Sequence, residues 1–554
     1  MAESKELLLF QLGPVQEFIA QARSTRDLWS GSYLLSWLMA STIVRIMKAE
    51  NLVFDDIVMP APYIDAEDGS ERFKMPLVEA LYDRHAPVYV EKALIPCLPN
   101  VGRILFPPGR AATVASKLHD MVVRDFRDCI GKAVFDWLKE KYGADESWRD
   151  EWNAQLTAFP SVTYAWSTWQ AGEKWGVVYS RVGKMLAARR NTRDFEQWPQ
   201  VGAGKPKDSL SGKEKIIGNR EFWDNLRKNK KLFKAPGHAY GAVNLVKRLW
   251  VHVDDGDDAN YLASALNFFE KSVWTNLSVK SLEEISKGNT KPNNGYIALL
   301  SMDGDHMGAQ VSKCNGSPSQ LSAFSGKLAS FQLNKAKPIV EKHFGHLIYA
   351  GGDDILAILP SSRAIACARE IQREFRAKVG FNMSCGLAIG HFKAPLQMLV
   401  KKSQSMEKIA KDRYERSSVA IALYKRSGEI IEWGCHWNYD DENPQDGSVL
   451  DLMEKITEFT DKQEVLSSRF PYALAELLKQ YDLKDYGQVA SITDIIKSEV
   501  RHVLSRQGSD MNDEDRDMLA KQIDRYLDST NKHLEDFINL FLIETFLNRV
   551  RGEE

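Results

Sequence analysis

Short apolar runs alternate along the chain with longer stretches whose apolar residues recur every third or fourth position, the pattern of buried strands separated by amphipathic helices. The first run, Leu7 to Gln11, predicts a strand that passes through Gly13-Pro14 into helical spacing over roughly Val15 to Ala49. Apolar runs near Ile57 and Ile104, a helical stretch from about Ala111 to Lys141 and the strand-like SVTYAWS follow. From residue 291 the pattern returns in cleaner form. GYIALLSMD reads as a buried strand, Gln320 to His343 as a helix and HLIYA-GGDD-ILAIL as a hairpin. A helix over Arg363 to Lys378, the strand NMSCGLAIG, a helix from Leu396 to Lys411 and the strand VAIALY complete the series. This β-α-β-β-α-β order is that of a ferredoxin-like unit. Residues 435–554 are acidic and helical and read as a packing or partner-binding bundle.

Length and charge refine this picture. A chain of 554 residues exceeds one hydrophobic core, so about three or four domains are expected. Its 44% hydrophobic and 27% charged residues are those of an ordinary globular protein. The net charge of -2 excludes a molecule that binds nucleic acid by its overall field, so any such contact is local or made through partners. One local candidate is the segment from about Val182 to Arg248, where Arg and Lys crowd between Arg189 and Lys234 with few acids. A solvated face and a contact with a phosphate backbone both fit it. The six cysteines are scattered without a CxxC pair, which points to a reducing compartment and argues against a structural zinc cage. The N-terminus carries no targeting signal. The longest apolar stretch, YLLSWLMASTIV from Tyr33, is too short to cross a bilayer. A cytoplasmic protein with no membrane partner is predicted.

The chemistry concentrates in the second unit. In a ferredoxin-like sheet the first and third strands are central, antiparallel neighbours, so the end of GYIALLSMD meets the start of ILAIL. That places Asp303, with Gly304 and Asp305 behind it, beside Asp353 and Asp354 at one edge of the sheet. Clustered carboxylates repel one another and raise some of their pKa values unless a cation joins them. Hard oxygen ligands that leave room for water and phosphate suit Mg²⁺ or Mn²⁺. Gly351 and Gly352 would let a triphosphate approach the turn backbone, and Lys411 is the candidate to neutralise it. Nucleotidyl transfer by in-line displacement at phosphorus is the reaction such a site serves.

GGDD between apolar strands, preceded by a strand ending DGD, resembles the palm domain of GGDEF-type nucleotide cyclases and polymerases. The stretches GPVQEFIAQARSTRDLWSGSYLLSWL, SMDGDHMG, YAGGDDILAILP and AKDRYERSSVAIALYKRSGE resemble the large subunit of type III CRISPR RNA-guided effector complexes of the Cmr type (III-B). The resemblance implies an α+β fold of two ferredoxin-like palms. The first, with a helical insert and no catalytic role, would span residues 1–197 and the second, catalytic one residues 291–434. A basic middle domain over 198–290 and a C-terminal helical domain over 435–554 complete it. It also implies synthesis of cyclic oligoadenylate from ATP when target RNA pairs with the guide RNA, inside an assembly with other Cmr-type subunits. Asp303, Asp353 and Asp354 would be metal ligands and catalytic, with Gly304, Gly351, Gly352 and Lys411 facing the nucleotide. The first palm, with no acidic pair after Gln11 to Gly13, would hold the acceptor nucleotide without supplying ligands.

Two departures from that family bear on function. Many relatives begin with an HD nuclease domain, whereas here the first palm starts within the opening residues and the only His-Asp dipeptide, His119-Asp120, stands in a predicted helix. No DNA cleavage by this chain is the expectation. Relatives also carry paired cysteines between the palms. The matching region here reads DSLSGKEK and KAPGHAYGAVNLVKRLW, a degenerate zinc-ribbon-like stretch in which His238 alone cannot hold the metal. A catalytically silent scaffold is the competing expectation.

Overall fold

The computed structural model describes residues 4–551 apart from 67–68, 70, 84, 193–205, 229–232, 234–236, 252–278, 289–294, 315, 463, 480–485 and 530–533. Much of the expected middle domain lies outside the described residues, including Lys205, Lys230, Lys231 and Lys234, as does Arg193 of the basic run.

Two ferredoxin-like sheets organise the chain. In the first, strands β1 (Lys5–Gly13), β2 (Ile57–Met59), β5 (Val101–Phe106) and β6 (Ser161–Trp169) stand in the order β2-β5-β1-β6, while β3 (Tyr63–Asp65) and β4 (Arg72–Lys74) form a separate ribbon. β1 is antiparallel to both neighbours, Leu8 facing Ile104 on one side and Trp166 on the other. In the second sheet β7 (Tyr296–Gly304), β8 (His346–Gly351), β9 (Asp354–Pro360), β10 (Met383–His391), β11 (Ser418–Tyr424) and β12 (Ile430–His436) take the order β12-β11-β10-β7-β9-β8. The four strands β10-β7-β9-β8 repeat the topology of the first sheet, as the alternation of elements predicts. The hairpin partner β12 lies beyond that prediction. Its turn is signalled by Arg426-Ser427-Gly428, where Gly428 takes φ +91°.

The described residues divide into two compact units: Met1–Lys280 with His306–Lys337 and Ile348–Asp353, and Ser281–Asp305 with Pro338–Leu347 and Asp354–Glu554. The described residues of the basic middle segment fall in the same unit as the first palm. Lys247, buried, donates to the carbonyls of Ile19 and Gln21 at 3.3 and 2.8 Å, which end the helix Gln16–Ala20, and lies beneath Gly31. The loop where relatives were expected to carry cysteines is organised by buried Asp208, whose carboxylate accepts from the backbone of Leu210, Ser211 and Gly241. The helix Pro318–Phe331, expected in the second palm, also joins the first unit. Leu321 fills the first palm's core beside Leu7, Leu9, Ala165 and Val178, and Ser325 Oγ accepts from Ala61 N at 3.1 Å. The long first helix is broken as well: Ser24 caps the helix Thr25–Glu50 by accepting from Asp27 N.

In the second unit the C-terminal helix Leu534–Arg551 packs on the sheet through Asn539 and Phe546. Asp536 on it is buried, accepting from Tyr414 Oη at 2.7 Å, and burial pushes its carboxyl up to about 6. A carboxyl raised in the folded state favours folding while protonated, so this unit loses stability as pH rises from about 4 through 6. Asp536→Asn should flatten that dependence in thermal melts between pH 4 and 7; an unchanged slope would contradict it.

Candidate active site

β7 is apolar and buried along its length except at Asp303, half-buried near its end. It lies between β10 and β9, with Ser384 of β10 opposite Asp303 and Met302 opposite Ile355 of β9. One step beyond that last register pair stand Asp303 and Asp354, so the two carboxylate-bearing residues are neighbours at the end of adjacent antiparallel strands. Asp353 precedes Asp354 in the turn and Gly352 takes φ +71°, a conformation that favours glycine. Gly351 is buried, and a side chain there would overlap the Tyr349 ring. Gln332 donates to the Gly352 carbonyl and fixes the turn.

The basic partner comes from the helix Leu396–Asp412, which crosses β10 in direct backbone contact at Gly386. That approach brings Lys411 Nζ onto the Asp303 carboxylate and within 3.0 Å of Glu407 Oε1, while Glu407 Oε2 accepts from Ser301 Oγ at 2.8 Å. Burial and the Arg416 charge push the Lys411 ammonium down to about 8. Gly386→Ala would drive a methyl group into the helix backbone at Ser403 and Glu407, an overpacking that costs about 1–3 kcal/mol. Urea denaturation should show that loss; an unshifted midpoint would contradict the contact.

Asp305 has a different task. Its carboxylate is buried and accepts from Ser384 Oγ at 2.6 Å and Ser417 N at 2.9 Å. The loop it grips holds three successive residues, Glu415, Arg416 and Ser417, at positive φ, a backbone that persists only where its surroundings fix it. Asp305 is a structural lock. Glu407 and Ser301, by contrast, belong to the site and escape a reading focused on GGDD; the four-residue spacing of Glu407 and Lys411 on one helix face is the signal that marks them. His119 and Asp120 stand exposed on the helix Ala111–Val123.

Among the described residues no group of three or more His, Cys, Asp or Glu side chains is gathered to hold a metal. The donors Asp303 and Asp354 are the right chemistry for Mg²⁺ or Mn²⁺. Mg²⁺ is commonly held by one or two carboxylates with water and substrate phosphates rather than by a closed protein cage.

A ferredoxin-like sheet with an aspartate near the end of its first strand and a GGDD turn before its third is the arrangement of a palm domain. The model of the Cas10/Cmr2 second palm domain matches residues 296–420, and that of the N-terminal part of the CRISPR-associated protein Cmr2 matches residues 7–153. Residues 296–420 are thus a second palm domain of the Cas10/Cmr2 kind and residues 7–153 an N-terminal domain of the Cmr2 kind, and the chain is similar in these parts to Cmr2 proteins of CRISPR systems. The CRISPR system Cmr subunit Cmr2 of Pyrococcus furiosus is 34% identical over 174 residues, 25% of this chain and 20% of that protein. The single-strand-specific deoxyribonuclease Cas10/Csm1 (subtype III-A) of Streptococcus thermophilus is 25% identical over 206 residues, 35% of this chain and 26% of that protein. The chain thus matches these curated relatives over about a quarter of their length or less. In fold it is similar to a large chain of the apo type III-B Cmr-beta complex, with TM-score 0.66 at 12% identity over 91% of this chain and 77% of that one. It is also similar to a chain of the Csm1-Csm4 cassette in complex with cA4, with TM-score 0.52 at 13% identity over 99% of this chain and 70% of that one. Among the described residues no helix is long and apolar enough to cross a membrane.

Proposed function

We propose that the second palm is a metal-dependent nucleotidyltransferase that makes a cyclic oligoadenylate, or a related adenylyl messenger, from ATP within a type III-B RNA-guided complex. The observation that supports this most is the strand register that makes Asp303 and Asp354 neighbours. The partners in this reading are other Cmr-type subunits, the guide RNA and the target RNA, a reading supported by the similar fold in a type III-B Cmr-beta complex bound to cognate target RNA.

Asp303 and Asp354, with Asp353, would hold Mg²⁺ or Mn²⁺, which when bound would activate the attacking hydroxyl and offset charge on the phosphates. The 3′-oxygen of one nucleotide attacks the α-phosphorus of another, the bond to the β-phosphate oxygen breaks and pyrophosphate leaves. Lys411 neutralises Asp303 until a triphosphate arrives, then turns its ammonium to the phosphates, and Glu407, held by Ser301, keeps it in reach. Gly352 leaves the turn backbone open to the same phosphates.

A silent scaffold is the second reading, favoured by one observation: Asp303 is already paired with Lys411. Incubating the purified complex with ATP, Mg²⁺ and target RNA, then analysing the products by mass spectrometry, separates the two. Oligoadenylate products support the enzyme, and unchanged ATP under those conditions supports the scaffold.

A further inference from the structure

β6 closes the first sheet on one side, with β1 as its sole neighbour in the strand order. Its hydrogen-bonding parity is fixed by Arg181, whose Nη2 donates to the carbonyl of Thr168 at 2.9 Å from outside the sheet. Main-chain groups alternate in direction along an antiparallel strand, so those of Tyr164 and Trp166 also point outward. Leu12 N, which bonds Asn100 O on the β5 side of β1, agrees with this parity. Among the described residues no segment of chain pairs with that edge.

The edge opens onto a groove of about 690 Å³, walled by Tyr164–Thr168 on one side and by Arg181, Met185 and Arg189 of the helix Trp175–Asn191 on the other. Two of the nine large hydrophobic side chains exposed among the described residues, Met185 at 46% and Val177 at 52%, stand together on the helix beside this edge. Single exposed apolar residues are ordinary, but a cluster beside an open strand edge marks an interaction surface. The charge on the helix is one-sided. Lys184, Arg189 and Arg190 are exposed, whereas the acid at the groove, Glu173, is taken up by Arg181 at 2.7 Å.

We propose that the β6 edge and the exposed face of the helix Trp175–Asn191 form a docking groove for an extended, acidic strand of a neighbouring protein subunit. The added strand would bond the outward main chain of Tyr164 and Trp166, rest apolar side chains on Met185 and Val177, and set carboxylates against Lys184 and Arg189. A single strand of nucleic acid would also meet the basic side chains. The row of main-chain donors and acceptors at strand spacing favours polypeptide. The inference rests on reading the chain as a subunit of a multiprotein complex.

Its test uses the full chain, with the neighbouring subunit proteins of its own complex, purified separately, as probe. Amide exchange is followed before and after mixing, and binding is titrated for the wild type, Tyr164→Pro and Met185→Glu. Tyr164→Pro removes an outward N–H, a change an edge strand tolerates, and Met185→Glu alters an exposed position, so the second stands if the first misfolds. Slowed exchange at 164–168 on mixing, with at least tenfold weaker binding of Met185→Glu, supports the groove. Failure of the wild type to bind any subunit overturns the complex reading itself. Wild-type binding with unchanged exchange at 164–168, or Met185→Glu binding as well as wild type, overturns the groove alone. Slowed exchange that appears only when single-stranded RNA is added overturns it in favour of nucleic acid.

Discussion

The double substitution Asp353→Ala and Asp354→Ala is expected to reduce adenylate product formation at least a hundredfold while the chain still folds and assembles. Loss of charge stabilisation at a transferring phosphoryl group costs roughly 3 kcal/mol or more of barrier, which is about a hundredfold in rate. Folding should survive because Asp354 is exposed and Asp353 half-exposed in the turn, and the conformation there depends on Gly352 and the Gln332 bond, both retained. Product quantified by mass spectrometry over time is the check. A yield within threefold of wild type would remove these residues from the chemistry. Asp305→Ala provides the contrast: it should destabilise the loop through Ser417, so its activity loss should come with a lowered melting temperature.

The largest expected effect on stability lies in the first unit, at Asp27→Ala. Asp27 and Arg248 form an almost wholly buried pair, with 4% and 11% of their side chains exposed. Burial works to raise the Asp27 carboxyl, but the Arg248 charge, its hydrogen bonds and the Arg23 backbone N–H overcome this and hold the group below the usual carboxylate range. Removing one partner strands the other charge in the interior, at a cost of about 3–5 kcal/mol. Urea unfolding followed by tryptophan fluorescence should show it, and a loss below about 1 kcal/mol would contradict the burial argument. The pH dependence has a definite sign. A depressed carboxylate stabilises the fold above its unfolded pKa, so this contribution is present at neutral pH and is lost as pH falls below about 4 through the folded value.

Much of this architecture was legible because apolar periodicity reports burial directly. GYIALLSMD, apart from Asp303 at its end, and ILAIL are buried strands, and the order of elements alone places Asp303 beside the GGDD turn. What escaped depends on tertiary contact. The break at Arg23 and Ser24 is masked by apolar spacing that continues on both sides of it, and only the Ser24 cap marks it. The Arg and Lys run was set apart by charge, yet Asp208 and Lys247 in it are buried in the first unit and Arg248 nearly so. Surface composition carries no sign of such internal pairing. The Gln320 to His343 helix was legible as a helix, but Leu321 shows that its apolar face serves the first palm's core. Asp305 and Asp303 look alike in DGD; Asp305, just past the strand end, turns toward Ser384 and Ser417, and Asp303, two residues earlier, meets Lys411.

The centre of the proposed chemistry is a pair of aspartates gripping a divalent cation against a triphosphate. Paramagnetic broadening of the ATP phosphorus resonances by Mn²⁺ tests it most directly, measured with the full chain, wild type against Asp303→Asn with Asp354→Asn. Strong broadening of protein-bound ATP in the wild type, lost in the double variant while ATP still binds, is the predicted result. Equal broadening in both proteins would mean that the cation is held elsewhere and that these carboxylates do not serve it.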